Sequence, residues 1–207
     1  MSTSDWSALD AAWIPARKAG VLGSATTEEI VDHAAGYLPA ACRVDDEFAA
    51  IDLGTGAGVP GVILATLRPQ STWTLVDANA RRCEYAQSAV RALGLSARVE
   101  VLHTRAEELG HVAAHRGSYD LVVARSFGPV DELAECALPL LNLSGVLSVS
   151  VTDETRRRWS DGARRLDLRL REQVSADDAQ YVFVELGSAV PSSWPRRPAA
   201  RRRSPIL

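Results

Sequence analysis

The stretch that decides the fold is Ile51-Asp-Leu-Gly-Thr-Gly-Ala-Gly-Val-Pro-Gly61, which follows a short apolar run and precedes a helical pattern. Glycines in such a turn let the backbone approach a ligand without a Cβ in the way, and the helix that follows begins with unpaired N–H groups. Pro60 suits the first helical position, where a missing N–H costs nothing. The stretch therefore predicts a strand, a ligand-binding turn and a helix in succession.

The glycines fit two patterns at once. Gly56-x-Gly58-x-x-Gly61 satisfies a dinucleotide fingerprint, whereas Asp52-x-Gly54-x-Gly56-x-Gly58 satisfies the acidic pattern typical of S-adenosylmethionine (SAM) sites. Because each pattern is weak alone, residues farther along the chain must decide between the two cofactors.

Two aspartates near the turn bear on that choice. Asp77 ends the next strand, 19 residues after Gly58, where a carboxylate can accept hydrogen bonds from a ribose diol of either cofactor. The charge of Asp52 would repel a diphosphate but suits the cationic amino-acid end of SAM. Asp52 could instead cap the amides of the turn, and Asp77 could cap the following helix. The balance favours SAM.

Hydrophobic periodicity alternates between short β-branched runs and helical stretches from residue 48 onward. Five strands alternating with helices predict an α/β fold with a doubly wound, mostly parallel sheet of the Rossmann-like class, which binds ligands beyond the carboxyl ends of its strands. The predicted strands are 48–53, 72–76, 98–102, 119–124 and 145–151, and the predicted helices are 60–67, 79–93, 106–109 and 130–138.

The flanking regions are less regular. The capping-box spacing of Thr26 to Glu29 predicts a helix that ends near Leu38, whereas the first 25 residues show no clear pattern. After the core we expect a helix at about 154–165 and an antiparallel strand pair, 167–174 and 181–186, at the sheet edge. The chain then divides into an N-terminal segment (1–47), a ligand-binding α/β domain (48–190) and a Pro- and Arg-rich tail (191–207) that should be extended when unbound.

Charge is distributed unevenly along the 207 residues. The net charge is −3, but residues 1–150 carry −7, and residues 151–207 carry +4. The basic groups are 22 arginines and a single lysine, Lys18, and arginine suits bidentate contact with phosphate. Five arginines and no acid lie in the last 14 residues. The C-terminal end is therefore the candidate nucleic-acid surface.

The composition also excludes several classes of protein. No apolar run approaches a membrane span and the N-terminus does not resemble an export signal, so we expect a cytoplasmic protein. We also expect it to be monomeric. Cys42, Cys83 and Cys136 are too widely spaced for a disulfide framework or zinc site and are expected in the core. The four histidines have no metal-ligand spacing, so no metal is expected.

Four segments together resemble the small-subunit (16S) ribosomal RNA guanine-N7 methyltransferases, also called the glucose-inhibited division protein B family. They are Asp52 to Gly61, Leu75-Val-Asp77, Arg105-Ala-Glu-Glu-Leu109 and Tyr119-Asp-Leu-Val-Val-Ala-Arg-Ser-Phe127. Trp194-Pro-Arg-Arg-Pro198 resembles the ending of many members. The segment before the first strand is shorter than usual in the family, and Leu141-Asn-Leu-Ser-Gly145 replaces the usual Lys-Pro-Gly-Gly turn.

The resemblance implies a class I methyltransferase fold, SAM as cofactor and small-subunit ribosomal RNA as partner. It implies that Gly54 and Val59 contact the cofactor, that Asp77 holds its ribose and that Ala106 and Glu107 border its adenine. Arg125 would lie where cofactor and substrate meet. With the residues of the glycine pattern, the predicted cofactor set is Asp52, Gly54, Gly56, Gly58, Val59, Asp77, Ala106, Glu107 and Arg125.

The residues after the fourth strand agree with methylation of a ring nitrogen. Ala124-Arg-Ser-Phe-Gly-Pro129 is not the Asn-Pro-Pro-Tyr type of motif associated with exocyclic amines, and it lacks a Pro-Cys nucleophile. Guanine N7 already has a lone pair, so positioning suffices and Arg125 is the candidate catalytic residue. Phe127 could stack on a base or pack beneath the next helix. The remaining candidate RNA-binding residues are Trp194, Arg196, Arg197, Arg201, Arg202 and Arg203.

Three other functions stay open at this point. The short N-terminal segment fits a paralogue that methylates a small molecule or another RNA. The basic tail also fits an RNA-binding module with a vestigial cofactor pocket. A nicotinamide-dependent oxidoreductase is the least favoured, because Asp52 would face the cofactor diphosphate.

Overall fold

A seven-stranded sheet forms the centre of the protein in the computed structural model, which describes residues 3–37, 47–174 and 179–207. The strand order is β3-β2-β1-β4-β5-β7-β6. Strands β1 to β5 pair in parallel, and β7 pairs antiparallel with both β5 and β6. The predicted fold class is therefore confirmed. The strands are β1 (Ala49–Leu53), β2 (Thr72–Asp77), β3 (Val99–His103), β4 (Tyr119–Ala124), β5 (Leu141–Val151), β6 (Leu168–Val174) and β7 (Gln180–Leu186).

Helices cover both faces of this sheet and bury two separate cores. One core contains residues of α1 to α4, including Trp13 and Val62, and the other contains Leu133 of α6 and Trp159 of α7. The helices are α1 (Thr3–Lys18), α2 (Thr27–Ala35), α3 (Gly61–Leu67), α4 (Ala80–Ala92), α5 (Ala106–Leu109), α6 (Val130–Ala137), α7 (Asp153–Ala163) and α8 (Pro198–Arg203). A 3₁₀ turn, Leu138–Leu140, follows α6.

The central strands are apolar because both of their faces are covered. In β1, Ile51 and Leu53 belong to the second core, while Ala50 belongs to the first. Side chains alternate along a strand, so Asp52 points with Ala50 toward the first core and is fully buried. An acid at this position therefore needs hydrogen-bond partners inside the protein.

The first helix was missed from the sequence. Leu9, Trp13 and Ala16 have helical spacing and are fully buried in α1, but Pro15 lies inside this helix and obscures the pattern. The indole of Trp13 donates to the carbonyl of Ala57 over 2.8 Å, in the centre of the glycine turn. The N-terminal segment thus stabilises the glycine turn from the side of the first core.

Other boundaries are close to those predicted. Thr26 and Glu29 form the predicted capping box, although α2 ends at Ala35 rather than near Leu38, which lies outside the described residues. Helix α7 begins at Asp153, one residue before its predicted start. Strand β5 begins at Leu141 rather than 145, because an irregular register between β4 and β5 accommodates the extra residues. The predicted linker 175–180 lies largely outside the described residues.

The prediction of an extended tail is wrong. Residues Pro198–Arg203 form α8, and Trp194 is buried in the second core. Trp194 supplies apolar area that stabilises this attachment when it is removed from water. Cys83 and Cys136 are buried as expected, whereas Cys42 lies outside the described residues. Within the described ranges, every helix is too short or too polar to cross a bilayer.

We expect Trp13→Phe to destabilise the protein by about 1–3 kcal/mol, because the buried carbonyl of Ala57 loses its donor while most apolar contacts persist. Urea unfolding followed by circular dichroism measures the free energy of unfolding. Trp6→Phe, a half-buried position on the same helix, is the matched control. Equal losses in the two variants would show that the Trp13 hydrogen bond contributes nothing specific.

Candidate cofactor and substrate site

The glycine turn joins the carboxyl end of β1 to the start of α3. Gly54, Gly56 and Gly58 all have positive φ angles, of 71°, 60° and 96°, which L-residues with a Cβ rarely adopt. The amides of Gly54 and Thr55 donate to the carbonyl of Val76 over 2.8 and 2.9 Å. These hydrogen bonds hold the turn against the end of β2. The backbone of the turn at Gly54 faces a cavity there.

Asp77 connects the turn with the helix that follows β2. Its Oδ2 accepts a hydrogen bond from the Gly56 amide at 3.0 Å, and its Oδ1 accepts one from the Asn79 amide at 2.9 Å. The N-cap of α4 is Asn79, not Asp77. A carboxylate has about four acceptor positions. Asp77 thus holds the turn and keeps acceptor capacity for hydroxyl groups in the cavity that it lines.

A cavity of about 230 Å³ lies beside this carboxylate. It brings together residues predicted from separate parts of the sequence, namely Gly54, Asp77, Ala106, Glu107 and Phe127. Ala106 and Glu107 come from the first turn of α5, where Arg105 binds the Glu107 carboxylate at 2.9 Å. Partial burial raises the pKa of Glu107, but a hydrogen bond from its own backbone amide and one from Arg105 hold this pKa below its usual value. Sequence reasoning missed Arg82, Thr104 and Glu132, which also line this cavity.

The cavity suits an adenosine-containing cofactor. A Cβ at Gly54 would lie 3.2 Å from the ring of Phe127, so glycine keeps the wall open at this point. The acid beside the turn, the glycine backbone and the acidic edge of α5 offer acceptors and apolar surface. The two arginines of the lining, Arg82 and Arg105, are paired with Asp77 and Glu107 and so are already engaged by acids rather than turned to a diphosphate. The donor set therefore fits SAM better than a dinucleotide.

Gly58 and Val59 lie beneath the turn rather than on the cavity wall. A Cβ at Gly58 would collide with Val62 of α3, and Val59 is 3% exposed. Gly56 is half-exposed but likewise does not belong to the cavity lining. These three residues shape the turn, and their direct contact with a cofactor stays a prediction.

Asp52 occupies a different place from the one expected for a partner of the cofactor ammonium. Its side chain is fully buried, and Oδ2 accepts hydrogen bonds from the Thr55 hydroxyl at 2.7 Å and the Gly61 amide at 2.9 Å. Oδ1 has no hydrogen-bond partner among the described residues. Burial raises the pKa of Asp52 to about 6, although the two hydrogen bonds oppose this rise. These contacts match the alternative role of Asp52, in which its carboxylate caps an amide of the glycine turn.

The loop after β4 lies between the cavity beside Asp77 and a second cavity. Ser126 has a positive φ of 53°, a strained value for a residue with a side chain, and Ser126 and Phe127 line both cavities. Arg125 is half-buried and makes no hydrogen bond or ion pair with the residues that the structure describes. Its positive charge acts on the buried Asp52 and lowers the pKa of that carboxyl against the effect of burial. The guanidinium is thus available for a ligand.

The second cavity has a volume of about 410 Å³ and was not found from the sequence. It opens at the carboxyl ends of β4 and β5, and its lining includes the apolar side chains of Trp159 and Val149. His33, Thr155 and Gln180 contribute polar groups to the same lining. These residues come from α2, α7 and β7, so only the folded chain brings them together. A flat ring with polar edges fits such a lining.

The C-terminal arginines divide into paired and exposed groups. Arg196 binds the buried Glu135 and Arg201 binds Glu132, so these two side chains and the buried Trp194 are occupied within the protein. The expectation that all of them face RNA is therefore not met in this conformation. Arg197, Arg202 and Arg203 are exposed and stay candidates. Among the described residues, no group of three or more His, Cys, Asp or Glu could hold a metal ion.

The buried Asp52 makes stability depend on pH. Because its folded pKa of about 6 exceeds the unfolded value near 4, its contribution is fully present below about pH 4 and is lost as pH rises through 6. We expect Asp52→Asn to lack this loss and to gain roughly 3 kcal/mol relative to the wild type between pH 4 and pH 7. Chemical denaturation across this range measures it, with the exposed Asp161→Asn as control. Parallel profiles for Asp52→Asn and wild type would contradict the assignment.

Comparisons with known proteins identify the family. The family model GidB, described as rRNA small subunit methyltransferase G, matches residues 16–172. Two curated proteins named ribosomal RNA small subunit methyltransferase G are similar to the chain. The one from Deinococcus radiodurans is 37% identical and the one from Trichormus variabilis is 38% identical, over 80% and 82% of this chain and 68% and 70% of their own lengths.

Solved structures with low sequence identity share the fold. Cofactor-bound Rv0187 from MTB superposes with a TM-score of 0.62 at 18% identity, covering 87% of this chain and 89% of that one. A Corynebacterium glutamicum protein gives a TM-score of 0.61 at 20% identity, covering 89% and 91%. These structures confirm the predicted fold, and the family model and the curated relatives confirm the predicted family and, with it, SAM as the cofactor. This chain belongs to the GidB family of small-subunit ribosomal RNA methyltransferases.

Proposed function

We propose that this protein transfers the methyl group of SAM to N7 of a guanine in small-subunit (16S) ribosomal RNA. The observation that carries the proposal is the pair of adjoining cavities that share Ser126 and Phe127, with the uncommitted guanidinium of Arg125 in the same loop. One cavity has the lining expected for the cofactor and the other has room for a base. Methyl transfer requires the methyl group and the attacking nitrogen to lie in contact, and the border that the two cavities share is where this contact can form.

The cofactor-binding role is assigned to the smaller cavity. When bound, SAM supplies an electrophilic methyl group on a sulfonium. We assign the ribose hydroxyls to Asp77, the adenine edge to Ala106 and Glu107, and the close backbone approach to Gly54 and Gly56. The role assigned to Asp52, Gly58 and Val59 is indirect. Their hydrogen bonds and packing maintain the conformation of the glycine turn on the side away from the cavity.

Positioning is the main task at the acceptor cavity. Guanine N7 carries a free lone pair, so no residue must remove a proton before attack. Arg125 is suited to hold a phosphate beside the target nucleotide through its planar fork. Phe127 offers a ring on which the base can stack, since it is half-exposed and borders both cavities. Trp159 and Val149 add apolar surface to the same cavity, which excludes water from the bound base.

The RNA-binding surface is assigned to the exposed arginines of the C-terminal region, Arg197, Arg202 and Arg203. Helix α8 adjoins the cofactor cavity, because its Arg201 binds Glu132 on the cavity wall. Phosphates held by these side chains would therefore lie near the reaction site. We further propose that the enzyme acts as a monomer in the cytoplasm, where ribosomal RNA is available.

The direct test is methyl transfer from labelled SAM to small ribosomal subunits that lack the N7 modification. We expect label in 7-methylguanosine after nuclease digestion, at about one methyl group per subunit. Asp77→Ala should abolish both the transfer and the calorimetric binding of SAM, because the ribose loses its acceptor. Folded protein that binds SAM but leaves both subunits and naked rRNA unlabelled would contradict the rRNA assignment. Label in a small molecule or another RNA would favour a paralogue.

Salt dependence tests the basic surface. We expect the triple variant Arg197→Gln/Arg202→Gln/Arg203→Gln to weaken RNA binding and to reduce the slope of log K against log salt by about 2 to 3. SAM affinity measured without RNA should not change. Arg91→Gln is the control, because Arg91 is exposed in the last turn of α4, away from the carboxyl ends of the strands. An unchanged slope in the triple variant would exclude phosphate contacts by these arginines.

A further inference from the structure

The last 14 residues, 194–207, form a strap that crosses the outside of α5, α6 and α7. At one end Pro195 lies against Gly110, where a Cβ would overlap with the proline ring. At the other end Leu207 lies against Gly162 of α7, where a Cβ would overlap with the leucine side chain. Arg116 donates to the carbonyl of Trp194 at 2.8 Å. Both ends of the strap are thus seated in places that only glycine leaves open.

Every acidic side chain of α6 binds the strap. Glu135 is fully buried and accepts hydrogen bonds from the backbone amide of Arg196 at 2.8 Å and its Nε at 3.0 Å. Asp131 accepts one from the amide of Leu207 at 2.7 Å. Glu132 accepts one from Arg201 at 3.1 Å. A buried acid such as Glu135 is tolerated only when it is paired, so the strap and α6 form one unit.

Glu132 differs from the other two acids because it also lines the cofactor cavity. It shares that wall with Glu107 of α5, and Arg201 acts electrostatically on the Glu107 carboxylate as well. Arg201 is only 5% exposed and also donates to the Cys136 thiol at 3.6 Å. The buried guanidinium of Arg201 therefore lies close to two carboxylates, Glu107 and Glu132, that line the cofactor cavity. Without it, Glu132 would lose its ion pair with Arg201, and Glu107, which Arg105 also binds, would lose a second nearby positive charge.

We propose that Arg201 is a positioning residue for SAM binding, which acts through Glu132 to hold the α6 wall of the cofactor cavity in place. The strap carries the Arg201 guanidinium to Glu132. The packing of Leu207 against Gly162 holds the strap in this position. The inference rests on the proposed placement of SAM in this cavity but not on the identity of the methyl acceptor. A part of the Arg-rich end thus serves the cofactor rather than RNA.

Calorimetry with SAM and with S-adenosylhomocysteine, in the absence of RNA, tests the role of Arg201. We expect Arg201→Gln to raise both dissociation constants about tenfold, because both compounds carry the adenosine that this wall faces. Arg201→Lys retains the charge and should recover most of the affinity. Ala199→Gln, which places the same side chain on the exposed side of α8, should bind as the wild type does. Binding by Arg201→Gln within twofold of the wild type would overturn the proposal.

A double-mutant cycle separates positioning from general stability. If Arg201 acts through Glu132, the variant with both Arg201→Gln and Glu132→Gln should bind SAM no more weakly than Arg201→Gln alone. Additive losses would overturn the proposal. The measurements are made well below the unfolding midpoint of each variant, so that a lower midpoint alone does not change the dissociation constant.

The variant Gly162→Ala tests the strap without touching the charges. Alanine favours the helix more than glycine does, but its methyl group displaces Leu207. We expect weaker SAM binding and faster proteolytic removal of the strap, with α7 intact by circular dichroism. Release of the strap with unchanged SAM affinity would overturn the proposal. Because no readout involves methyl transfer, failure here is distinct from failure of the rRNA assignment.

Discussion

Two carboxylates at the ends of neighbouring strands hold the glycine turn in its unusual backbone conformation. Asp52 accepts from Thr55 and Gly61 beneath the turn, and Asp77 accepts from Gly56 at its edge. Three positive-φ glycines at alternate positions would be costly to order without such partners, because glycine loses more conformational freedom on folding than other residues. The cofactor cavity, the start of α3 and the cap of α4 all depend on these contacts.

The arginines behind the net charge of −3 have two different roles, because some are paired inside the protein and others are exposed to solvent. Some of the positive charge at the C-terminal end neutralises the acids of α6 inside the protein, as Arg196 does for Glu135. Only the exposed side chains can attract phosphates from solution. A basic tail is therefore not by itself evidence of RNA binding, since its arginines can form ion pairs with buried acids elsewhere in the chain.

Much of the fold could be predicted because its signals are local. The strands are apolar on both faces and the helices between them are periodic, so β1 to β4 were found to within about one residue. Helix α1 was missed although Leu9, Trp13 and Ala16 show its spacing, because Pro15 interrupts the pattern. Helix α8 gave no apolar signal, since its attachment depends on Arg201 and its acidic partner rather than on a hydrophobic face.

The candidate site was predictable where one short segment carries it. The glycine turn, Asp77 and the start of α5 each follow a strand, and parallel strands bring their carboxyl ends to one edge of the sheet. The sequence alone therefore determined the fold class, the family and the edge of the sheet at which the candidate cofactor cavity lies. Tertiary structure decided what Asp52, Trp194 and the C-terminal arginines do, and it assembled the second cavity from α2, α7 and β7. Partners far apart in the chain set burial and charge pairing, and no local pattern encodes them.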